Sequence, residues 1–448
     1  MGDLRVYGGT VVTPRTARRA DLLIRNGRIV KVGDVAGCGR EQSARGLLVL
    51  PGAVDAHVHF SLPVAGTRSA DDFERGTLAA AGGGVTTVVD FTLGAPDVSL
   101  AESIEQRIAQ ASGAAVDFAL RAEMIGWTND RREELRQAAS LGVRSFKFYL
   151  SYAESGRRTP LGVLREAMQD IRALGGVAMV HAEAQELTVP EGGPTPRARP
   201  AVAEAVAVAA VGELARDTGC RAYVAHISSE AGLAGLQAAQ ARGAPVVGET
   251  CPQYLFLTEE CYCREDGHLF SVVPPLRADR DLQALWRGLS HNAFQAVATD
   301  HCPFTRKQKS RGWSYPATLS SGLPGLELLP AILLSEGWAR GPLSLRQVAW
   351  YMGEGPARAF GLWPVKGAII PGADADLVLW DPKARRTVRA AELRSAAGFS
   401  PYEGMELAGR PVGVLSRGEW LLREGELLAR PGRGRFVPWK GELSGAAF

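Results

Sequence analysis

The 448-residue chain has no long hydrophobic run, little excess of either charge, and no pattern in its cysteines. No apolar stretch reaches the roughly 20 residues that a helix needs to cross a bilayer, so no membrane span is expected. Lysine and arginine number 51 against 48 acidic residues, a net charge of +3. So small an excess supplies neither a stripe for nucleic acid nor a patch for an acidic membrane surface. The six cysteines, at 38, 220, 251, 261, 263 and 302, lack framework spacing and are expected to be reduced thiols. No charged segment followed by an apolar one opens the sequence, which points to the cytoplasm. There is no repeat of 20 to 50 residues and no low-complexity tract.

What is present alternates. Strand-like runs occur at 47–58, 85–91, 116–122, 143–150, 177–181, 221–227, 245–249 and 296–299. Helical patterns lie between them at 100–111, 131–140, 160–174, 201–217, 230–241 and 279–289. Eight runs separated by helices predict an α/β fold, a closed (β/α)8 TIM-type barrel. A doubly wound open sheet is the alternative, but no Gly-x-Gly-x-x-Gly turn follows the first strand. Both ends of the chain read instead as short strands, at 4–7, 21–24 and 28–32 and at 376–380, 412–416 and 419–423, with Asn26-Gly27 as a hairpin turn. We therefore expect residues 1–50 and 366–448 to form one small β-sandwich domain, and 51–365 to form the barrel. The Pro- and Gly-rich segment 189–200 is expected to cover one face of the barrel. Trp439 suits either an interface or plain core.

In such a barrel the active site lies at the C-terminal ends of the strands. Polar residues fall there at several points. His57 and His59 end the first run, and alternate residues on a strand face the same way, so both imidazoles can meet one ion. They can equally be two satisfied loop histidines. Lys147 sits between Phe146 and Phe148. It either extends its ammonium to solvent or, if buried and neutral, can take up CO2 as an anionic carbamate with two oxygens. His181 and His226 each end a run. Asp300 follows the last run and suits either a helix cap or a metal ligand and base. Of the seven histidines, four end predicted strands. Imidazole and carboxylate together suit zinc and similar ions, and without thiolate pairs no closed structural zinc site is expected.

Several stretches resemble the hydantoinase/dihydropyrimidinase family of the amidohydrolase superfamily. They include Pro51-Gly-Ala-Val-Asp-Ala-His-Val-His-Phe60, Gly84-Val-Thr-Thr-Val-Val-Asp-Phe91, Phe146-Lys-Phe-Tyr-Leu-Ser-Tyr152, His181-Ala-Glu183, His226-Ile-Ser228, Gly248-Glu-Thr-Cys-Pro-Gln-Tyr254, Pro274-Pro-Leu-Arg277, Asp300-His-Cys-Pro-Phe304 and Gly372-x-Asp-Ala-Asp-Leu-Val378. The resemblance covers nearly the whole chain. It implies two divalent ions, expected to be zinc. His57 and His59 with Asp300 would hold one, His181 and His226 the other, and a CO2-derived carbamate on Lys147 would bridge them. It further implies that a hydroxide between the metals attacks the ring amide, that Asp300 shuttles the proton, and that Tyr152 polarises the carbonyl. The product would be an N-carbamoyl amino acid, and the assembly a homodimer or homotetramer with no nucleic-acid partner. Two positions depart from the family pattern: Val273 stands where Ser is usual, and Ser321 where Asn is usual. Both positions would contact the ring, the first through its backbone. The resemblance also leaves neighbouring activities in view. Dihydroorotases place Arg where this chain has Ser61, although Arg68 is near. Allantoinases resemble it at Gly322-Leu-Pro-Gly-Leu-Glu327. A mononuclear deaminase would lack the bridging lysine, and a metal-free non-enzymatic member would have lost ligands.

Overall fold

The computed structural model describes residues 3–440 except 38, 65, 128, 190, 191 and 312–319. Cys38, part of the segment 189–200 and the last eight residues therefore lie outside the described residues.

Eight parallel strands form the centre. They are β1 (Ala53–Val58), β2 (Val85–Phe91), β3 (Asp117–Glu123), β4 (Ser145–Tyr149), β5 (Val177–His181), β6 (Arg221–Val224), β7 (Val246–Thr250) and β8 (Ala296–Val297). Each pairs with its neighbour in sequence. The ring closes just past β8, where Val58 and His301 form a parallel bridge and the His59 N–H donates to the His301 carbonyl at 2.8 Å. The expected (β/α)8 barrel is what forms.

The strands are buried on both faces, as parallel strands covered by helices must be. Alternation then sorts their side chains. Phe146, Phe148, Ala178 and Val180 cluster with helix residues such as Leu164, Met168 and Ile171. Val177, Met179, Tyr223 and Val247 fill the interior, where Phe360, Leu362 and Trp439 join them. Trp439 is thus core. Lys147, of opposite parity to its two phenylalanine neighbours, opens onto the cavity at the C-terminal ends of the strands.

Two elements differ from the sequence expectation. The run 47–58 is two strands. Leu48–Pro51 pairs antiparallel with the strand Leu377–Thr387 in the terminal sheet, and only β1 beyond Gly52 belongs to the barrel. A further helix, Phe73–Gly83, follows β1, capped by the Asp72 side chain on the Arg75 N–H. Its glycines argue against a helix on propensity, but packing requires them. A Cβ at Gly76 would lie 2.0 Å from the Phe60 ring, and one at Gly83 would lie 2.2 Å from the Glu327 carbonyl oxygen.

The expected β-module of the two termini is present as one nine-stranded sheet, with Leu48–Pro51 joining strands from the start of the chain to those from its end. Lys366 ties this sheet to the barrel. Its buried ammonium contacts Asp117 of β3 at 2.5 Å, and Asp374 and Asp376 at 2.9 Å each. Those carboxylates hold its pKa above the usual lysine value despite the opposing effect of burial. No described helix is long and apolar enough to cross a membrane.

Candidate metal centre

His57, at the end of β1, is buried, and its Nδ1 lies 2.5 Å from Glu249 Oε1 on β7. That contact places the proton on Nδ1 and leaves the Nε2 lone pair facing the cavity. The Glu249 carboxylate is itself held by the Tyr223 hydroxyl at 2.7 Å and the His226 N–H at 3.3 Å.

His57 Nε2, His59 Nε2 and Asp300 Oδ1 form a triangle with all three sides 3.1 Å. Ligand atoms about 2.0–2.2 Å from a zinc ion stand roughly 3.3–3.6 Å apart at tetrahedral angles, so the triangle would open only slightly around one. Two imidazole nitrogens and a carboxylate oxygen facing one point are a donor set that fits a divalent ion. Burial raises the Asp300 pKa, but the adjacent imidazoles win and hold it below the usual carboxylate value. Burial also keeps His57 neutral, the form that binds a metal.

A second pair lies beside the first. His181 Nδ1, at the end of β5, is 3.0 Å from His226 Nε2, and the His57 and His226 rings stack 5.5 Å apart. His181 Nε2 bonds Glu183 at 2.7 Å, and Arg199 grips the same carboxylate at 2.6 Å. Burial pushes the Glu183 carboxyl up, but Arg199 and His181 bring it down to about 2. The Nδ1 atoms of His59 and His226, across each ring from the Nε2 that faces the cluster, are buried without a hydrogen-bond partner.

Lys147 lies on β4 in register with Glu123 on one side and Met179 on the other. Its Nζ sits over the rings of Tyr149 and Phe91, at 5.3 and 5.5 Å. Burial, reinforced by the Arg121 charge, brings its pKa down to about 7. Tyr152 follows β4, its ring 4.9 Å from that of His181 and 5.1 Å from the Arg199 guanidinium carbon.

Tyr152, His226 and Asp300 all have left-handed backbones, with φ of 71°, 36° and 51°. Each such residue costs about 1–3 kcal/mol and persists only where its surroundings impose it. At Asp300 the constraint is visible. Buried Asp55 on β1 accepts from the Thr299 N–H at 3.1 Å and the Thr299 hydroxyl at 2.5 Å, which fixes the residue before Asp300.

These groups share one cavity of about 1050 Å³ at the barrel mouth. Every site residue expected from the sequence lines it: His57, His59, Lys147, Tyr152, His181, His226, Val273, Asp300 and Ser321. Gly193, Pro194 and Arg199 line it too, so the described part of the segment 189–200 borders the mouth. The sequence reading missed Asp55, Glu183, Arg199 and Glu249. The three acids lie inside stretches quoted above; Asp55 and Glu249 take partners from other segments, while Glu183 bonds His181 two residues before it and Arg199 from a loop. Arg199 sits in a loop with no local signal.

The amidohydrolase family profile matches residues 48–421. The chain is 37% identical over 455 residues to a D-hydantoinase of Streptomyces coelicolor, covering 97% of each. It is 36% identical over 453 residues to a D-phenylhydantoinase of Escherichia coli, covering 96% of this chain and 97% of that one. The solved structure of a dihydropyrimidinase from Brevibacillus agri superposes with a TM-score of 0.94 at 32% identity, over 98% of this chain and 99% of that one.

Proposed function

We propose, for a chain that belongs to the amidohydrolase family, that it is a metal-dependent hydrolase that opens a cyclic amide, a hydantoin or dihydropyrimidine ring, to an N-carbamoyl amino acid. The observation that carries this is the 3.1 Å triangle of His57, His59 and Asp300, which shares a cavity with His181, His226, Lys147 and Tyr152. That all six candidate ligands converge argues against a metal-free, non-enzymatic role.

His57, His59 and Asp300 would hold one divalent ion and His181 and His226 a second, with Lys147, as a CO2-derived carbamate, supplying further anionic oxygens to them. Nitrogen and oxygen donors without thiolate suit zinc. When bound, the ions would supply Lewis acidity and a water whose pKa is brought down to roughly 7.

The chain's own residues then do the following. Asp300, a carboxylate held below its usual pKa, takes a proton from the water that adds to the ring amide carbon. The Tyr152 hydroxyl, kept protonated by burial, donates to the carbonyl oxygen as that oxygen gains charge. As the ring C–N bond breaks, Asp300 delivers the proton to the leaving nitrogen. The segments at Val273 and Ser321 hold the ring.

Glu249 orients His57. Glu249→Gln should weaken divalent-ion binding by about 10- to 100-fold in a chelator competition. Unchanged affinity would remove Glu249 from that role.

The function is tested by a ring-opening assay on protein loaded with zinc and bicarbonate, offered dihydrouracil, 5-substituted hydantoins, allantoin and dihydroorotate. Preference for hydantoins or dihydrouracil is expected. Dihydroorotate is the specific competitor, because Arg68 lines the cavity and its guanidinium reaches the Ser61 carbonyl at 3.4 Å. Preference for dihydroorotate or allantoin would keep the metal centre and reassign the ring. No turnover with two ions bound would reject the reading.

A further inference from the structure

Lys309 lies outside the metal centre and does not line the cavity, yet its side chain is fully buried. Its Nζ donates to the Ser271 carbonyl and the Ser271 hydroxyl, each at 2.8 Å, and to the Ser320 carbonyl at 3.2 Å. It forms no ion pair among the described residues. Burying a lysine against neutral oxygens alone is costly, and such groups are rare unless they serve a purpose.

The place of those oxygens supplies one. Ser271 precedes Val272 and Val273, and Ser320 precedes Ser321 and Gly322. All four following residues line the substrate cavity. One direct backbone bond joins the two segments, from the Gly322 N–H to the Ser271 carbonyl at 2.9 Å. The Ser271 hydroxyl adds a long contact to the Ser320 carbonyl at 3.4 Å. Lys309 is the group that grips both at once. Burial brings its pKa down to about 7, and both protonation states retain N–H donors. The same short helix, Arg306–Ser310, reaches the other side of the mouth. Gln308 donates from its side-chain amide to the Thr67 hydroxyl at 2.7 Å and the Arg68 carbonyl at 2.8 Å, holding the hairpin that also lines the cavity.

We propose that Lys309 is a positioning residue for substrate binding, setting the spacing of the 271–273 and 320–322 segments that receive the ring. This rests on the ring-opening function proposed above. Because the two segments hold the ring in the ground state and the transition state alike, the loss of Lys309 acts on KM more than on kcat.

The test measures steady-state kinetics and ions per chain for the zinc-loaded wild type, Lys309→Met and Ser271→Ala, using the ring the wild type prefers. Lys309→Met should raise KM at least about 10-fold, with kcat within about threefold and the ion content unchanged. Ser271→Ala, which removes one of the three acceptors, should raise KM by a smaller factor. If Lys309→Met does not fold, Ser271→Ala decides: a raised KM at unchanged kcat and ion content supports the role, and an unchanged KM overturns it. Folded Lys309→Met with wild-type KM, or with KM altered only alongside lost ions, also overturns it. A wild type that opens none of the rings overturns the functional reading instead, and this one with it.

Discussion

Replacing Asp300 with Asn lowers kcat for ring opening by about 10²- to 10⁴-fold while the barrel stays folded. Asn has nearly the shape of Asp but can neither take the proton from the attacking water nor deliver it to the leaving nitrogen. Substitution by Asn rather than Ala preserves packing beside Thr299, whose bonds to Asp55 fix the local backbone. The left-handed conformation at Asp300 is also one that Asn tolerates well. Because Asp300 is also an expected ligand, kinetics alone would not separate the two roles, so ions per chain must be counted on the same sample. A large fall in kcat with both ions retained supports the proton shuttle. Activity within a few-fold of wild type, with both ions bound, would remove Asp300 from it.

The second large effect is on stability. Lys366→Met should destabilise the chain by about 3–5 kcal/mol, since it leaves a buried cluster of carboxylates without its cation. Asp117, Asp374 and Asp376 all lie within 2.9 Å of the lysine nitrogen. In the variant they would face one another with only more distant cations to offset them, Arg417 at 3.4 Å from Asp117 and the exposed Arg28 at 3.6 Å from Asp374. Burial already holds the Asp376 carboxyl above its usual value despite Lys366, and removing that cation would push it higher still. A group raised in this way favours the folded state at low pH and loses that contribution as pH rises. The penalty should therefore be largest near pH 8 and shrink toward pH 5. Urea unfolding at both values checks this. A loss under about 1 kcal/mol, or one independent of pH, would show that the cluster does not depend on Lys366 for its stability.

Much of the barrel was legible because parallel strands buried on both faces read as apolar runs, and seven of the eight began and ended within a few residues of the expected positions. The run 47–58 was misjudged because nothing in its composition marks the change of sheet at Gly52; the change is set by pairing with residues near the other end of the chain. The helix Phe73–Gly83 was hidden because its glycines answer to Phe60 and Glu327 across the packing, not to local propensity. At the site, the histidines and Asp300 were legible because each lies at or just past the end of a strand, and Lys147 because it sits between two phenylalanines inside one. Glu249 gave no such signal, since its imidazole partner His57 stands on a strand far away in sequence, and Glu183, although it bonds nearby His181, is fixed by Arg199 from a distant loop. Lys309 reads in sequence as one more basic residue of Arg-Lys-Gln-Lys.

The terminal sheet has a consequence for how the chain is made. Leu48–Pro51 rests against Leu377–Trp380, so a strand is completed only by one that the ribosome produces long after it. At roughly 5–20 residues per second, the early strand waits on the order of tens of seconds for that partner. During that time the barrel can assemble, but the N-terminal hairpins present an unpaired edge to everything around them. The vulnerable period of this enzyme's life is therefore its synthesis, and its yield in a cell should respond to translation speed and to holdase chaperones more than the stability of the finished protein would suggest.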